Sequence, residues 1–240
     1  MKILVIIPTF NESENIADLI HELKKLDVEL DILVVDDNSL DKTSKIVKDL
    51  SRLYKGIYIL ERPEKLGLGS AYRDGFKFGI DNSYDNYIQI DADFSHRIVD
   101  LKKMLVYINE FEVIIGSRYI YGGGTLGWNK FRKYLSKFAN IFSRAITGCD
   151  ITDMTSGFRI YTLNALNKIN YHQTKSNGYA FQIEMSSRAN FNNLNIKEVP
   201  IIFHERRKGK SKMNYRIIME AFFVILKIRF TKLTKHKNEN

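Results

Sequence analysis

Two aspartates one residue apart, Asp91 and Asp93, end the apolar run in "YIQIDADFSH", residues 87–96. Where a strand leaves a core, two unpaired carboxylates repel each other and lose hydration. Either they decorate an ordinary turn, which aspartate favours, or they hold a cation. Hard carboxylate oxygens suit Mg²⁺ or Mn²⁺, ions that share their coordination with phosphate oxygens. His96 either supports the carboxylates or caps the next helix. A second acidic pair, Asp36 and Asp37, follows the run "DILVV". Asn38, Ser39 or Asp41 is expected to cap the helix that follows. The two acids themselves have the chemistry to accept hydrogen bonds from a nucleoside base or ribose.

Basic groups suited to phosphate accompany these acids. "RPEKLGLGSA", residues 62–71, follows a third apolar run. Its glycines do not open the first strand–helix unit, so a dinucleotide fingerprint is rejected. The segment is either a loop approaching a nucleotide, with Lys65 on phosphate, or a plain turn. Arg118 in "GSRY" either reaches phosphate or forms a structural ion pair. Arg206, Arg207, Lys208 and Lys212 in "HERRKGKSK" are either solvated surface, a flap closing on phosphate or a membrane patch. Trp128 is read as a packing or lid residue.

The elements that position these groups follow from periodicity. Apolar strands are expected over 2–7, 31–35, 56–60, 87–90 and 112–115. Between them lie helices opened by an Asn11–Glu14 capping box, by the Asp36–Asp41 segment with Ile46, Val47, Leu50, Leu53 and Tyr54 on its packed face, and by the glycine loop near residue 71. A fourth helix covers about 98–109. Such alternation implies an α/β fold with a mostly parallel sheet flanked by helices. Ligands then bind at the carboxyl ends of the strands. The polar clusters 9–12, 36–39, 65–70 and 91–96 all fall there. The second half reads less regularly: a flexible glycine-rich loop over 119–128, helices over 129–147 and 178–189, a turn and short strand over 153–161, and a strand before the basic loop.

Size and charge bound the rest. The 240 residues, 44% hydrophobic and 12% aromatic, suit one large domain. A single cysteine, Cys149, excludes an internal disulfide and fits a reducing compartment. The N-terminal apolar run has no small-residue cleavage site and reads as a first strand, not a signal peptide. Of the net charge of +9, eight charges fall in residues 204–240. A basic tail of this kind faces something anionic. It also contains "IIMEAFFVILKIRF", residues 217–230, interrupted by Glu220, Lys227 and Arg229. No apolar run reaches the roughly 18–20 residues of a spanning helix, so this segment is expected to lie on a surface.

"VIIPTFNESENI", "VVDDNSLDKT", "EKLGLGSAYRDGF", "IQIDADFSH", "IIGSRY", "DMTSGFR" and "RRKGKSKM" occur in the order found in family 2 glycosyltransferases of the GT-A fold. The chain resembles the dolichol-phosphate mannose synthase and polyprenyl-phosphate glycosyltransferase branch. The resemblance implies a GT-A catalytic domain over 1–214 and a basic amphipathic, membrane-interfacial segment over 215–240. It implies that Pro8, Phe10, Glu12, Asp36 and Asp37 surround the donor nucleotide, with Lys65 and Asp91. Asp91, Asp93 and Ser95 would bind Mg²⁺ or Mn²⁺. Arg118 and Arg132 would join Asp93 in catalysis, and Arg206, Ser211 and Lys212 would meet donor or acceptor phosphate. The implied reaction is inverting transfer of one sugar, mannose from GDP-mannose, to a dolichyl or polyprenyl phosphate on the cytoplasmic face of a membrane. A membrane-anchoring subunit is a further partner this branch allows; nucleic acid is not expected.

The pattern departs from the family at Arg97 and Ile98, where relatives often carry proline. It lacks the Gln-x-x-Arg-Trp of processive synthases, which favours single-sugar transfer. Rival readings are a UDP-glucose-type donor, a soluble hydroxyl acceptor, or a non-catalytic basic protein tethering to nucleic acid or membrane. The last gives the four polar clusters no purpose.

Overall fold

In the first half of the chain, runs apolar at every position alternate with amphipathic segments. The computed structural model, which describes residues 1–205, folds them into β1 (Ile3–Thr9), α1 (Ile16–Lys24), β2 (Asp31–Asp36), α2 (Thr43–Leu53), β3 (Ile57–Glu61), α3 (Leu68–Asp81) and β4 (Asn86–Gln89). Strand β1 shows why helices are needed on both sides. Ile3, Val5 and Ile7 join one buried cluster with Ile16 and Leu19 of α1, whereas Leu4 and Ile6 join another with Tyr72 and Phe76 of α3. Side chains alternate between the faces of a strand, so an unbroken apolar run must be covered twice.

The chain continues through α4 (Ile98–Leu105), β5 (Val113–Ser117), β6 (Gly124–Leu126), α5 (Lys130–Thr147), β7 (Arg159–Thr162), α6 (Leu163–Ile169), α7 (Gly178–Phe191), β8 (Ile196–Pro200) and β9 (Ile202–His204). Seven strands form one sheet in the order β3-β2-β1-β4-β7-β5-β8. All neighbours are parallel except β7, which runs antiparallel to both β4 and β5. The winding goes outward from β1 to β3, then reverses to β4. Such a reversal leaves a crevice at the carboxyl ends of β1 and β4.

Local expectations change in places. The Asn11–Glu14 capping box does not form: α1 begins at Ile16, and Asn11 sits in a left-handed conformation with φ 56°. Its side chain instead accepts from the backbone N–H groups of Leu40 (2.8 Å) and Asp41 (3.4 Å), joining two loops. Leu53 and Tyr54 were expected on the packed face of α2, but they are 76% and 40% exposed because the buried stripe ends at Leu50. The glycine-rich segment carries a short strand, β6, paired with β9. Gly123 permits its tight entry: a Cβ there would lie 2.6 Å from the Ser117 carbonyl oxygen. Arg97, at the family departure, is extended and binds Asp100 through two hydrogen bonds of 2.8 and 2.9 Å, holding the start of α4.

No helix among the described residues is long and apolar enough to cross a membrane. The roles expected of Arg206, Ser211 and Lys212, and the helix expected over 217–230, lie outside the described residues.

Candidate active site

The carboxyl ends of β1 and β2 meet through hydrogen bonds that the loop residues dictate. Asp36 is buried and accepts from four donors: the Thr9 hydroxyl (2.7 Å), the Ser39 hydroxyl (2.6 Å) and N–H (2.9 Å), and the Ser44 hydroxyl (3.0 Å). Its oxygens are thereby turned to the protein, and it shapes the loop around its neighbours. None of the three capping candidates is the N-cap of α2, which is Lys42 with no side-chain cap; Asp41, one residue earlier, accepts from the Thr43 N–H (2.9 Å) at the start of the helix. Burial would push its carboxyl up, but hydrogen bonds from Thr43 and Ser13 hold it below the usual carboxylate range. Asn38 donates to the Pro63 carbonyl (3.0 Å) and Ser39 to Asp36.

Asp37 is buried against Arg62, with which it forms an ion pair, and it also accepts from the Gly67 N–H (3.0 Å). Arg62 extends the connection to Ser70 (2.7 Å), Asp74 (3.2 Å) and the Gly67 carbonyl (3.1 Å). This cation locks the end of β2 to the start of α3. Arg62, not Lys65, is the cation that meets the acidic pair, and its signal in the sequence is a lone arginine at a strand end opposite two aspartates. Lys65 lies over the Phe10 ring at 3.9 Å, which brings two of the expected donor-binding residues together. Glu12 accepts from the Asn15 amide (3.1 Å) and its N–H donates to the Thr43 hydroxyl (3.0 Å).

Asp91 and Asp93 leave the end of β4, beside β1 at the winding reversal. Between Asp93 and Ser95 stands Phe94 at φ 59°. A bulky residue in the left-handed region costs about 1–2 kcal/mol, and such strain concentrates at functional sites. Asp93 is buried and accepts from the Ser95 N–H at 3.0 Å. Asp91 is partly open, with His96 Nε2 3.4 Å from Oδ2. His96 is buried, stacked on Phe158 at 4.7 Å with Phe203 edge-on at 5.2 Å. It therefore backs the Asp91 carboxylate rather than capping α4.

Residues unremarked in the sequence complete the surroundings of Asp91. A Cβ built on Gly157 would lie 3.8 Å from both Asp91 carboxylate oxygens and 3.8 Å from the Gln182 amide nitrogen. Gln182 is buried, and among the described residues neither its amide atoms nor the buried Tyr72 hydroxyl has a hydrogen-bond partner. Burial first, then the charge of Asp91, raises that hydroxyl well above the ordinary phenol range, so it stays protonated. Gln182 sits inside α7 at a position that periodicity alone reads as core.

Arg118 resolves toward the ion-pair alternative. Its Nε and Nη2 donate to the two oxygens of Asp153 at 2.7 Å each, Nη2 donates to the Thr155 hydroxyl at 2.7 Å, and its backbone N–H reaches Asp153 at 3.0 Å. Both side chains are buried. Burial would push Asp153 up, but the Arg118 charge and hydrogen bonds hold its carboxyl below the usual range. Burial likewise opposes the Arg118 charge, and Asp153 more than restores it. Glu198 steadies the turn by accepting from the N–H groups of Thr152 (2.8 Å) and Asp153 (3.0 Å). Arg132, in the first turn of α5, lies over the Trp128 ring at 4.1 Å and 3.4 Å from Glu205. Arg118 meets the same ring at 5.6 Å, so Trp128 joins the two arginines.

The model of the family described as "Glycosyl transferase family 2" matches residues 4–169. An undecaprenyl-phosphate mannosyltransferase of Micrococcus luteus is 37% identical, over 92% of this chain and 91% of that protein. A polyprenol monophosphomannose synthase of Mycolicibacterium smegmatis is 39% identical, over 92% and 84%. The same fold occurs in glucosyl-3-phosphoglycerate synthase from Mycobacterium tuberculosis, solved with Mn²⁺, UDP-glucose and phosphoglyceric acid. It shares 16% identity with a TM-score of 0.66, over 93% of this chain and 79% of that one. With its motifs at the carboxyl edge of the sheet and the family pattern spanning most of its length, the chain belongs to glycosyl transferase family 2.

Proposed function

We propose that the protein transfers a single mannosyl residue from GDP-mannose to a polyprenyl phosphate, with inversion at the anomeric carbon. The observation that carries this reading is the Asp91–Asp93 turn at the winding reversal, in a chain that aligns over nine-tenths of its length with two polyprenyl-phosphate mannosyl transferases. Residues 1–214 would form the catalytic domain and 215–240 a basic segment at the membrane.

The donor set fits a divalent ion. Asp91 and Asp93 offer hard oxygens, and Ser95, whose N–H donates to Asp93, carries a hydroxyl two residues on. No group of three or more His, Cys, Asp or Glu side chains suited to a metal forms among the described residues. A pair of carboxylates suits Mg²⁺ or Mn²⁺ sharing its coordination with diphosphate and water. When bound, such an ion neutralises charge developing on the departing diphosphate.

The protein groups divide the remaining work. Pro8, Phe10, Glu12 and Asp37 hold the nucleoside, with Lys65 over Phe10 offering its charge to phosphate. His96 lies behind the Asp91 carboxylate, 3.4 Å from Oδ2. Arg132, lying on the Trp128 ring, supplies positive potential toward the acceptor, aided by Arg206, Ser211 and Lys212, while Arg118, neutralised by Asp153, supports Trp128 from within. An acceptor phosphate is already an oxyanion near neutral pH, so its attack needs little general-base help.

The test supplies GDP-mannose, UDP-glucose and related radiolabelled donors with polyprenyl phosphate and either Mg²⁺ or Mn²⁺. Label from GDP-mannose entering the organic phase is expected. Label arriving only from another donor, or only on a water-soluble hydroxyl acceptor, overturns the assignment.

A further inference from the structure

Gly157 is a glycine that neither its backbone nor its packing requires. Every other glycine among the described residues, Gly124 excepted, either has a positive φ or has a neighbour that a Cβ would meet at 3.0 Å or less. Gly124 faces only Ile202, at 3.5 Å. The φ of Gly157 is not positive, and the atoms nearest to a Cβ there are the two Asp91 carboxylate oxygens and Gln182 Nε2, all at 3.8 Å. The missing side chain thus leaves a methyl-sized niche with a polar rim. An oxygen resting against the Gly157 Cα is within hydrogen-bonding reach of both groups. Gln182 is 1% exposed, and among the described residues neither Nε2 nor Oε1 has a hydrogen-bond partner. An amide buried in this way costs stability that a partner restores. The Asp91 side chain is 34% exposed, so the niche opens toward the crevice. Tyr72 stacks at 6.0 Å on Phe181, the residue before Gln182, and its hydroxyl is close enough to Asp91 and Asp93 for both charges to act on it.

We infer that this niche receives one hydroxyl of the transferred sugar, held between the Asp91 carboxylate and the Gln182 amide, and that Gln182 is a residue by which the enzyme selects its sugar. The inference rests on the proposed function, which puts the donor at Asp91, and deepens it by naming a group that reads the sugar. The chemistry of the rim selects the occupant. A phosphate oxygen would be repelled by Asp91, and an apolar group would leave the Gln182 amide unpaired. A neutral hydroxyl donates to the carboxylate and accepts from Nε2. A buried water has the same bonding capacity. The sugar is favoured because the niche opens beside the two carboxylates that face the diphosphate to which the sugar is joined. The niche has room for one small group, so a hydroxyl of the wrong orientation misses it. A site that hydrogen-bonds a substrate hydroxyl also rejects the analogue lacking it far more strongly than an apolar pocket rejects a missing methylene.

Two variants of the full chain test it. Gly157→Ala fills the niche with a methyl group that meets its described neighbours at ordinary contact distance. Gln182→Leu keeps the bulk of the side chain and removes its hydrogen bonds. Gly157→Ala should keep the wild-type thermal midpoint, and Gln182→Leu should match or exceed it, because an unpaired buried amide has been removed. Calorimetric titration in Mn²⁺ compares GDP with GDP-mannose, and UDP with UDP-glucose. Each variant should bind GDP as wild type does and bind GDP-mannose at least about tenfold more weakly. Transfer to polyprenyl phosphate is then measured with GDP-mannose and with donors lacking one sugar hydroxyl each. In wild type one such donor should lose at least about a hundredfold in kcat/KM. Gln182→Leu should lose about as much on GDP-mannose, yet use that deoxy donor as well as wild type does. Variants that weaken GDP and GDP-mannose alike overturn the inference and make the niche a seat for buried water. So does an equal loss on every donor, or unchanged kcat/KM in both variants. If wild type uses UDP-glucose and not GDP-mannose, the donor assignment falls, and the same comparison with UDP, UDP-glucose and its deoxy forms decides the niche.

Discussion

Replacing Asp153 by asparagine tests whether the buried pair with Arg118 is the pivot of the second half of the site. The Asp153 side chain is fully buried and that of Arg118 is 4% exposed, so the guanidinium would be left in the interior without its counter-charge. Asparagine keeps the shape but offers one oxygen where Arg118 directs three donors, and its amide hydrogens face the guanidinium. Leaving one member of a buried pair alone costs about 3–5 kcal/mol. For a chain of this size each kcal/mol lowers the melting temperature by about 2–4 °C, so a fall of about 10 °C is expected. Removing both charges should cost less, and Arg118→Leu with Asp153→Leu should recover at least half of the loss. The pH dependence has a definite sign. The Asp153 carboxyl is held below its ordinary value in the folded protein. Its contribution is therefore fully present above about pH 4, the unfolded value, and is lost as pH falls through the lowered folded value. The gap between wild type and Asp153→Asn should stay constant near neutrality and close only in acid. Calorimetry across pH measures this. A shift under about 2 °C, or a double variant no more stable than Asp153→Asn, would refute the pairing as the source of stability.

Asp93→Ala should lower transfer at least about a thousandfold at saturating donor and Mn²⁺ while leaving the circular-dichroism melt near wild type; retained turnover would contradict its role. Asn11→Ala should cost about 2 kcal/mol in urea denaturation, because it loses two loop hydrogen bonds and keeps a left-handed φ that alanine disfavours. Asn11→Gly, which is free to adopt that φ, should cost less. Gly69→Ala should destabilise by about 2 kcal/mol or more despite the better helix former, because its Cβ would lie 2.4 Å from the Ser176 carbonyl oxygen; a neutral result would show that α3 does not pack on that backbone.

The first half of the fold is legible because its signals are local. A run such as "ILVII" at β1 states its own burial, and polar residues break each run where the chain reaches the ligand edge. Asp91 and Asp93 could be read from one strand. The second half depends on pairings that no local pattern announces. Strand β7 is four residues long and β6 three, too short for a period to register. Arg118 and Asp153 lie 35 residues apart, and only the sheet makes them one unit. Gln182 is indistinguishable from core by spacing, and Arg62 was masked by the turn chemistry around it. Helix α5 was visible as a helix, but which face it buries is set by what it packs on. Its polar residues face inward because Asn140 meets Thr155.

The reversed direction of β7 explains how the two halves come to share a site. Its register sets Arg159 opposite Gln89 of β4 and opposite Ile115 of β5, so β7 begins where both neighbours end. The turn before it, from Asp153 to Phe158, therefore enters at the carboxyl edge, where Asp91 leaves β4 and Arg118 follows β5. A parallel strand in this place would deliver that turn to the opposite edge. Arg159 fixes the geometry from beneath: it is fully buried and donates to the carbonyls of Met154 (2.8 Å) and Ser156 (2.7 Å). Its charge is thereby spent on the turn rather than on a ligand. Gly157 can then approach Asp91 closely while Asp153 takes Arg118. One antiparallel strand thus lets residues after 150 complete a crevice that the parallel strands had opened.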